Sequence, residues 1–216
     1  MFQQLLEQLY PTQTTLVAVS KTKPNSDILD LYEQGQRDFG ENRVQELCQK
    51  YETLPKDIRW HEIGHLQTNK VKYIAPFVHL IHSVDSPRLL KEINKQALRS
   101  ERKIACLLQF KIAKEDSKYG LDIETARQLL RDVYPSLEAV SIRGIMGMAT
   151  FTDDEQKVRR EFRKLKTIFD QLKRDFFADD DVFKEISMGM SGDYPIALEE
   201  GSTMIRIGSL LFGPRD

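Results

Sequence analysis

Hydrophobic residues along this chain switch period in a regular way. Short apolar runs rich in β-branched residues alternate with longer stretches whose apolar residues recur every three or four positions. Residues 1–10 put Phe2, Leu5, Leu6 and Leu9 on one face and predict a lead-in helix. Leu16-Val17-Ala18-Val19 then reads as a buried strand. The run is too short for a helix, and Pro24 forbids a smooth continuation. The next helix is capped by Asn25 or Ser26, carries Ile28, Leu29, Leu31 and Tyr32, and is stopped by Gly35. Arg37-Asp38-Phe39-Gly40 is a brief second strand. Glu41 opens a helix with the stripe Val44, Leu47, Cys48 and Tyr51. Trp60-His61-Glu62-Ile63-Gly64 alternates as a third strand, a helix runs from near Gln67 to before Pro76, and residues 78–84 form a fourth strand.

The second half repeats the alternation. Ser86-Pro87 is a capping hydroxyl followed by a proline in the first turn, and Leu89, Leu90, Ile93 and Ala97 face inward behind it. Residues 103–110 are a continuous apolar strand, the composition of one buried on both faces. A polar loop, Lys111 to Gly120, leads to a helix capped by Asp122 with Ala126, Leu129, Leu130 and Val133 inward. Residues 142–148 are a strand punctuated by glycines. Thr152-Asp153-Asp154-Glu155 forms a capping box ahead of the apolar stripe Val158, Phe162, Leu165, Phe169, Leu172 and Phe176. Val182 to Met188 is a strand, residues 195–200 a short helix stopped by Gly201, and Thr203 to Ile207 the last strand.

Strand-like segments separated by helices argue for a parallel sheet. Eight such segments in 216 residues suggest an α/β fold with a single closed (β/α)8 TIM barrel, somewhat below the ~250 residues typical of that architecture. The alternative is an open doubly wound sheet. No Gly-x-Gly-x-x-Gly turn follows the first strand, which weakens a dinucleotide-binding version of it. No fixed-period repeat, low-complexity linker or charge block marks a boundary, so one domain over residues 1–216 is expected.

Composition narrows the function classes. The net charge of −1 gives no global field for nucleic acid or an anionic membrane, so neither is expected as a partner. The basic face of the long helix after residue 155 reads as a solvated surface, because Asp179-Asp180-Asp181 follows at once. No apolar run approaches the roughly 20 residues that cross a bilayer. The N-terminus lacks a basic region followed by an apolar core, so secretion is not expected and a cytoplasmic location is. The two cysteines, Cys48 and Cys106, both read as buried, reduced core thiols. His61 and His65 do not by themselves make a metal-ligand spacing, and no metal is expected.

The candidate chemistry falls at one end of the strands. Ser20-Lys21 ends the first, Gly40-Glu41-Asn42 the second, Gly64-His65 the third, Met146-Gly147-Met148 the sixth, Ser187-Met188-Gly189 the seventh and Gly208-Ser209 the eighth. In a barrel that is the carboxyl face, where active sites are built. Lys21 held there is partly desolvated, which makes its amine a candidate nucleophile toward aldehydes. Loops after the last two strands commonly bind phosphate. Here Ser187 offers a hydroxyl, and Gly208 and Ser209 offer backbone N–H groups. Arg206 lies in an otherwise apolar strand, so it points into the barrel mouth or meets a carboxylate. A lysine, a phosphate cradle and a buried arginine suit pyridoxal 5′-phosphate. An aldolase acting on sugar phosphates through a Schiff-base lysine is the rival, and it leaves Arg206 harder to explain.

Several longer stretches carry a resemblance. They are Ala18-Val19-Ser20-Lys21-Thr22-Lys23-Pro24, Phe39-Gly40-Glu41-Asn42-Arg43-Val44-Gln45-Glu46, residues 60–70, His82-Ser83-Val84-Asp85, Arg143-Gly144-Ile145-Met146-Gly147-Met148, Ser187-Met188-Gly189-Met190-Ser191 and Ile205-Arg206-Ile207-Gly208-Ser209. Over nearly its whole length the chain resembles the pyridoxal phosphate homeostasis protein family, also described as proline synthase co-transcribed homologues. One departure is visible. Lys111-Ile112-Ala113 stands where the family often has Asn, Ile or Thr, then Ser or Thr, while Glu115, Ser117, Lys118 and Gly120 keep the later pattern.

The resemblance implies a fold-type III barrel similar to the N-terminal domain of alanine racemase. It implies pyridoxal phosphate held as a Schiff base on Lys21, phosphate held by Ser187, Gly208 and Ser209, and Arg206 at the pyridine nitrogen, with Asn42 and Met146 also in the cofactor site. The implied role is balance of vitamin B6 vitamers and of amino and keto acids, without established turnover. A monomer is expected, with apo forms of enzymes that use this cofactor as candidate partners. The alternative is an enzyme resembling an amino-acid racemase. The chain ends a few residues after the eighth strand, where alanine racemase carries a further β domain, and this argues against full racemase chemistry.

Overall fold

In the computed structural model, which describes residues 1–113 and 119–213, eight parallel strands close into a barrel in sequence order. The strands are β1 (Thr15–Val19), β2 (Asp38–Glu41), β3 (Arg59–Glu62), β4 (Leu80–Val84), β5 (Ile104–Phe110), β6 (Val140–Gly147), β7 (Glu185–Ser187) and β8 (Met204–Ile207). Closure is made by β1 against β8, in register from Thr15 opposite Met204 to Ala18 opposite Ile207. The helices are α1 (Phe2–Leu9), α2 (Asn25–Glu33), α3 (Val44–Thr53), α4 (Val71–Ile74), α5 (Pro87–Arg99), α6 (Ile123–Gln128), α7 (Glu155–Phe176), α8 (Tyr194–Glu199) and α9 (Ser209–Phe212). Glu115, Ser117 and Lys118 of the polar loop lie outside the described residues.

Alternation along each strand builds two cores. Outward residues such as Phe39, Trp60, Ile81, Leu108 and Ile145 pack under the helices with Leu47, Ile93 and Phe162. Inward residues form a smaller cluster of Val17, Leu80, Ala105, Leu107, Met146 and Met204. β6 changes phase partway. Cys106 pairs with Ile142 but Leu107 pairs with Gly144, which makes Arg143 the extra residue of a bulge. Gly144 has φ of 155°, and a Cβ there would lie 1.9 Å from the Glu185 carbonyl oxygen, so only glycine fits.

Most predicted elements are present with shifted ends. Ser86 caps α5 by accepting from the Leu89 N–H, and Asp122 caps α6 from the Thr125 N–H. The cap of α7 is Asp154, which accepts from the Lys157 N–H at 3.0 Å. Thr152, expected as that cap, instead accepts from the Asp154 N–H, so the helix begins later than the capping-box pattern implied. After α6 the backbone widens into a π turn at Leu129–Val133. β7 is only three residues long, against the seven expected, because Val182 and its neighbours lie in turns. Cys106 is buried, whereas Cys48 is only half-buried on α3.

Glu41 departs furthest from expectation. It is the last residue of β2, not the start of a helix, and its side chain is fully buried on the outer face of the strand. Its Oε1 accepts from Ser20 Oγ at 2.6 Å and from Lys50 Nζ at 2.8 Å. Lys50 comes up from α3 and is itself buried. Its ammonium also donates to the Ser20 carbonyl at 2.7 Å and to Glu46 Oε1 at 2.7 Å. Three donors thus meet three acceptors. Glu46 Oε1 in turn accepts from the Thr22 N–H at 2.7 Å. The network ties α3 to the ends of β1 and β2, and it encloses the turn that carries Lys21.

Burial raises the Glu41 pKa, while Lys50 and the Ser20 hydroxyl act to lower it. Removing the cation from such a pair costs about 3–5 kcal/mol. Lys50→Met is therefore expected to destabilise the barrel by that order. With Lys50 gone, the folded-state pKa of Glu41 lies further above its unfolded value of about 4.3. The folded state then binds more protons than the unfolded state, so stability falls as pH rises through that window. Denaturant titrations of Lys50→Met against the parent should show a larger deficit at pH 8 than at pH 5. A pH-independent deficit would mean that Glu41 does not carry the cost.

Candidate functional site

The inward phase of the strands continues into the loops at their carboxyl ends, and there it lines a cavity of about 420 Å³. Val17 faces the barrel interior, Val19 reaches the cavity floor, and Lys21 follows on its wall. Asn42 and Ile63 continue β2 and β3 in the same way, and Met148 continues β6. On the strand next to β1, Arg206, Gly208 and Ser209 follow one another off β8. Thr150 and Phe151 from the loop before α7, and Ser191 and Asp193 from the loop after β7, complete the rim.

Lys21 is half-buried in a tight turn. The Lys23 N–H donates to the Ser20 carbonyl at 3.0 Å across it. Thr22 sits at φ of 65°, a left-handed conformation that a β-branched residue rarely adopts. Such strain persists where surrounding contacts over-determine it. Here the bond from the Thr22 N–H to Glu46 supplies that constraint. Gly64 passes so close to the Asn42 backbone that a Cβ would lie 2.2 Å from the Asn42 carbonyl oxygen, which fixes how the loops after β2 and β3 meet at the rim.

Arg206 is only 4 % exposed, yet it lines the cavity. Nη1 donates to Ser187 Oγ at 2.6 Å and Nη2 to the Gly147 carbonyl at 3.1 Å. Among the described residues it forms no ion pair with a carboxylate; Asp193 acts on it only at longer range. Burial lowers its pKa to about 10, so it remains a cation at neutral pH. Burial raises the Asp193 carboxyl, whose Oδ1 accepts from the Met190 N–H at 2.6 Å. Across the rim, Glu161 of α7 accepts from both the N–H and the hydroxyl of Thr150, at 2.7 and 2.9 Å, and pins the loop that carries Phe151.

Lys21, Asn42, Arg206, Gly208 and Ser209 are thus brought to one cavity. Two expected residues are not. Met146 is 1 % exposed in the apolar layer below, and Met148, two residues on in the same inward phase, reaches the wall. Ser187 is fully buried beneath the cavity, with its hydroxyl bonded to Arg206 and His82. Ser191, four residues on, lines the cavity together with Gly208 and Ser209. β7 ends at Ser187 in its inward phase, so that residue is a deep side chain and the loop beyond it supplies the rim.

The amino end of the barrel has its own polar group. Asp38, His61 and His79 bring one ligand-type atom each within 4.8 Å of one another. The Asp38 carboxylate is already engaged: Arg59 donates to both of its oxygens and His61 Nε2 lies 3.0 Å from Oδ1. Burial works to raise the Asp38 pKa, but these hydrogen bonds outweigh it and hold the group well below the usual carboxylate range.

Comparison with known proteins bears on this geometry. The family described as alanine racemase, N-terminal domain, matches residues 2–216. A pyridoxal phosphate homeostasis protein of Aquifex aeolicus is 40% identical over 201 residues, covering 93% of this chain and 86% of the relative. The protein of the same name from Homo sapiens is 36% identical over 214 residues, covering 94% and 78%. Among solved structures, PipY of Synechococcus elongatus PCC7942 with PLP bound superposes with a TM-score of 0.88 at 36% identity, covering 98% of each chain. Alanine racemase of Bartonella henselae shares the fold alone, with a TM-score of 0.71 at 16% identity over 99% of this chain and 57% of the racemase. On sequence and on barrel alike, this chain belongs to the alanine racemase N-terminal domain family, within its group of pyridoxal phosphate homeostasis proteins.

Proposed function

We propose that the chain binds pyridoxal 5′-phosphate in the carboxyl-end cavity and serves the balance of vitamin B6 and of amino and keto acids. The observation that carries this reading is Arg206, a buried cation lining the cavity whose bonds to Ser187 and Gly147 leave further N–H donors for a ligand. A pyridine nitrogen is an acceptor that suits it. Lys21, on the adjoining wall beyond β1, would bond the aldehyde carbon. Gly208, Ser209 and Ser191 offer N–H and hydroxyl donors to a phosphate, and the opening turn of α9 leaves its first N–H groups without helical acceptors. Asn42 and Met148 shape the remaining wall. PipY, solved with PLP bound, and the relatives named for pyridoxal phosphate homeostasis support the assignment.

When bound, the cofactor supplies an electron sink for carbanion chemistry, strongest with its ring nitrogen protonated. Arg206 has donors only and stays charged, so it stabilises an unprotonated nitrogen beside it. That suits storage and delivery of the cofactor better than turnover. Relatives named as homeostasis proteins rather than as enzymes fit the same reading. No helix among the described residues is long and apolar enough to cross a membrane. We place the protein in the cytoplasm, as a monomer that hands cofactor to apo forms of enzymes that use it.

Four outcomes are expected. Purified protein should carry visible absorbance that borohydride fixes permanently, with the reduced cofactor mapping by mass spectrometry to Lys21. Lys21→Ala should lose the linkage while keeping the native denaturation midpoint, and a label on Lys23 instead would refute the site. Ser191→Ala should weaken cofactor retention about tenfold or more, the size of one lost hydrogen bond to a charged group. Full retention would remove Ser191 from the phosphate cradle. Deuterium exchange at the α-carbon of a panel of amino acids should stay near the buffer rate. Fast, Lys21-dependent exchange on any one of them would favour the racemase-like enzyme.

A further inference from the structure

The barrel interior is not filled only by aliphatic side chains, as most such barrels are. One diagonal of it is polar from mouth to mouth. From Arg206 Nη1 the contacts run to Ser187 Oγ at 2.6 Å and on to His82 Nδ1 at 3.0 Å. They continue from His82 Nε2 to His61 Nδ1 at 2.9 Å and from His61 Nε2 to Asp38 Oδ1 at 3.0 Å. All five side chains are buried. Buried polar groups cost free energy unless each finds its partner, and here the partners form one continuous line, joined at its ends by Arg59 on Asp38 and the Gly147 carbonyl on Arg206.

The two ends fix its direction. Guanidinium only donates and carboxylate only accepts. Arg206 therefore donates to Ser187 Oγ, and His61 Nε2–H donates to Asp38. With the His61 proton on Nε2 and Nδ1 bare, His82 donates from Nε2–H. His82 accepts at Nδ1 from the Ser187 hydroxyl. Every link of the line then pairs one donor with one acceptor. Burial, with the Arg206 charge beside it, keeps His82 neutral. Any reversal would leave the Ser187 hydrogen facing donors on both sides.

We propose that this polarised hydrogen-bond chain, anchored by Asp38 at the amino end of the barrel, sets the orientation of Arg206 at the carboxyl end, which makes His82 and Ser187 positioning residues for the ring-nitrogen subsite. The proposal rests on the cofactor reading above for what Arg206 meets, but not for the direction of the chain. Charged and titratable groups at its lower end are Arg59, which pairs with Asp38, and His79, Arg143 and Glu185 around the small cavity there. At the upper end Asp193 faces Arg206.

Two measurements test it. In cofactor-free protein, long-range 1H–15N correlation of the imidazole rings should show both His61 and His82 protonated at Nε2 and bare at Nδ1. A proton on His82 Nδ1 would overturn the chain, whatever the protein binds. In protein loaded with pyridoxal phosphate, Ser187→Ala should keep the Lys21 linkage but move the pH midpoint of the visible band by about one unit. That is the tenfold change of one lost hydrogen bond to a charged group. Ser187→Thr, which keeps the hydroxyl, should return the midpoint toward the parent value. A band in Ser187→Ala that titrates as in the parent would overturn the positioning role. Absence of any band in the parent would instead count against the cofactor reading. The ring spectra need no variant, so they remain decisive if Ser187→Ala does not fold.

Discussion

The buried ammonium of Lys50 is the contact on which the geometry of the cavity wall depends. It holds the Ser20 carbonyl, the Glu41 carboxylate and the Glu46 carboxylate at once. Through them it fixes the end of β1, the end of β2 and the first turn of α3. Thr22 can keep its left-handed backbone because Glu46 bonds its N–H, and that conformation costs about 1–2 kcal/mol without such help. Lys21 is therefore carried on a turn whose shape is set from beneath. Two carboxylates against one ammonium would be unfavourable in isolation. Glu46 is partly solvated and Glu41 is not, so the cation screens the one that solvent cannot reach.

The interior divides the same problem differently. Val17, Leu80, Ala105, Leu107, Met146 and Met204 fill most of the barrel with aliphatic and thioether groups. Asp38, His61, His82, Ser187 and Arg206 take the rest from β2, β3, β4, β7 and β8. Placing Arg206 beside the cavity would be costly if it were surrounded by hydrocarbon alone. Its partners are a hydroxyl and a carbonyl, neutral groups that orient a cation without cancelling its charge. An acidic partner in that place would compete with any ligand acceptor.

Much of the architecture was legible because alternation is a local property. The period-two run through Val17 and Val19 also predicts the direction of Lys21, and the same logic places Arg206 and Gly208. Where the sequence misled, the missing information was depth or distance. Ser187 sits at a strand end next to glycine, like a rim residue, but a three-residue strand in inward phase carries it into the core. Lys50 looks like any lysine on an amphipathic helix; only the packing of α3 on β1 and β2 shows that it is buried. Glu41 was misassigned to a helix because an acidic residue favours a first helical turn, and no local signal records the cation waiting on the outer face of β2. His61 and His82 are 21 residues apart in the chain, and only closure of the barrel makes them partners.

The bulge at Arg143 has a consequence of parity. Before it, Val140 and Ile142 face the helices; after it, Ile145 does, while Met146 faces the interior. One inserted residue has exchanged odd for even along the remainder of β6. Arg143 is thus a spacer whose value lies in its being counted, and its side chain is exposed. Deleting that single residue would leave the faces as they are, because plain alternation from Ile142 through Gly144 again puts Ile145 outward and Met146 inward; drawing Arg143 into the regular pairing is what would turn the strand over. Ile145 and Gly147 would then swing inward, Met146 and Met148 would turn toward the helices, and the Gly147 carbonyl that holds Arg206 would leave its place. The cation two strands away is in this sense positioned by a count of residues on a strand that contributes none of its own side chains to it.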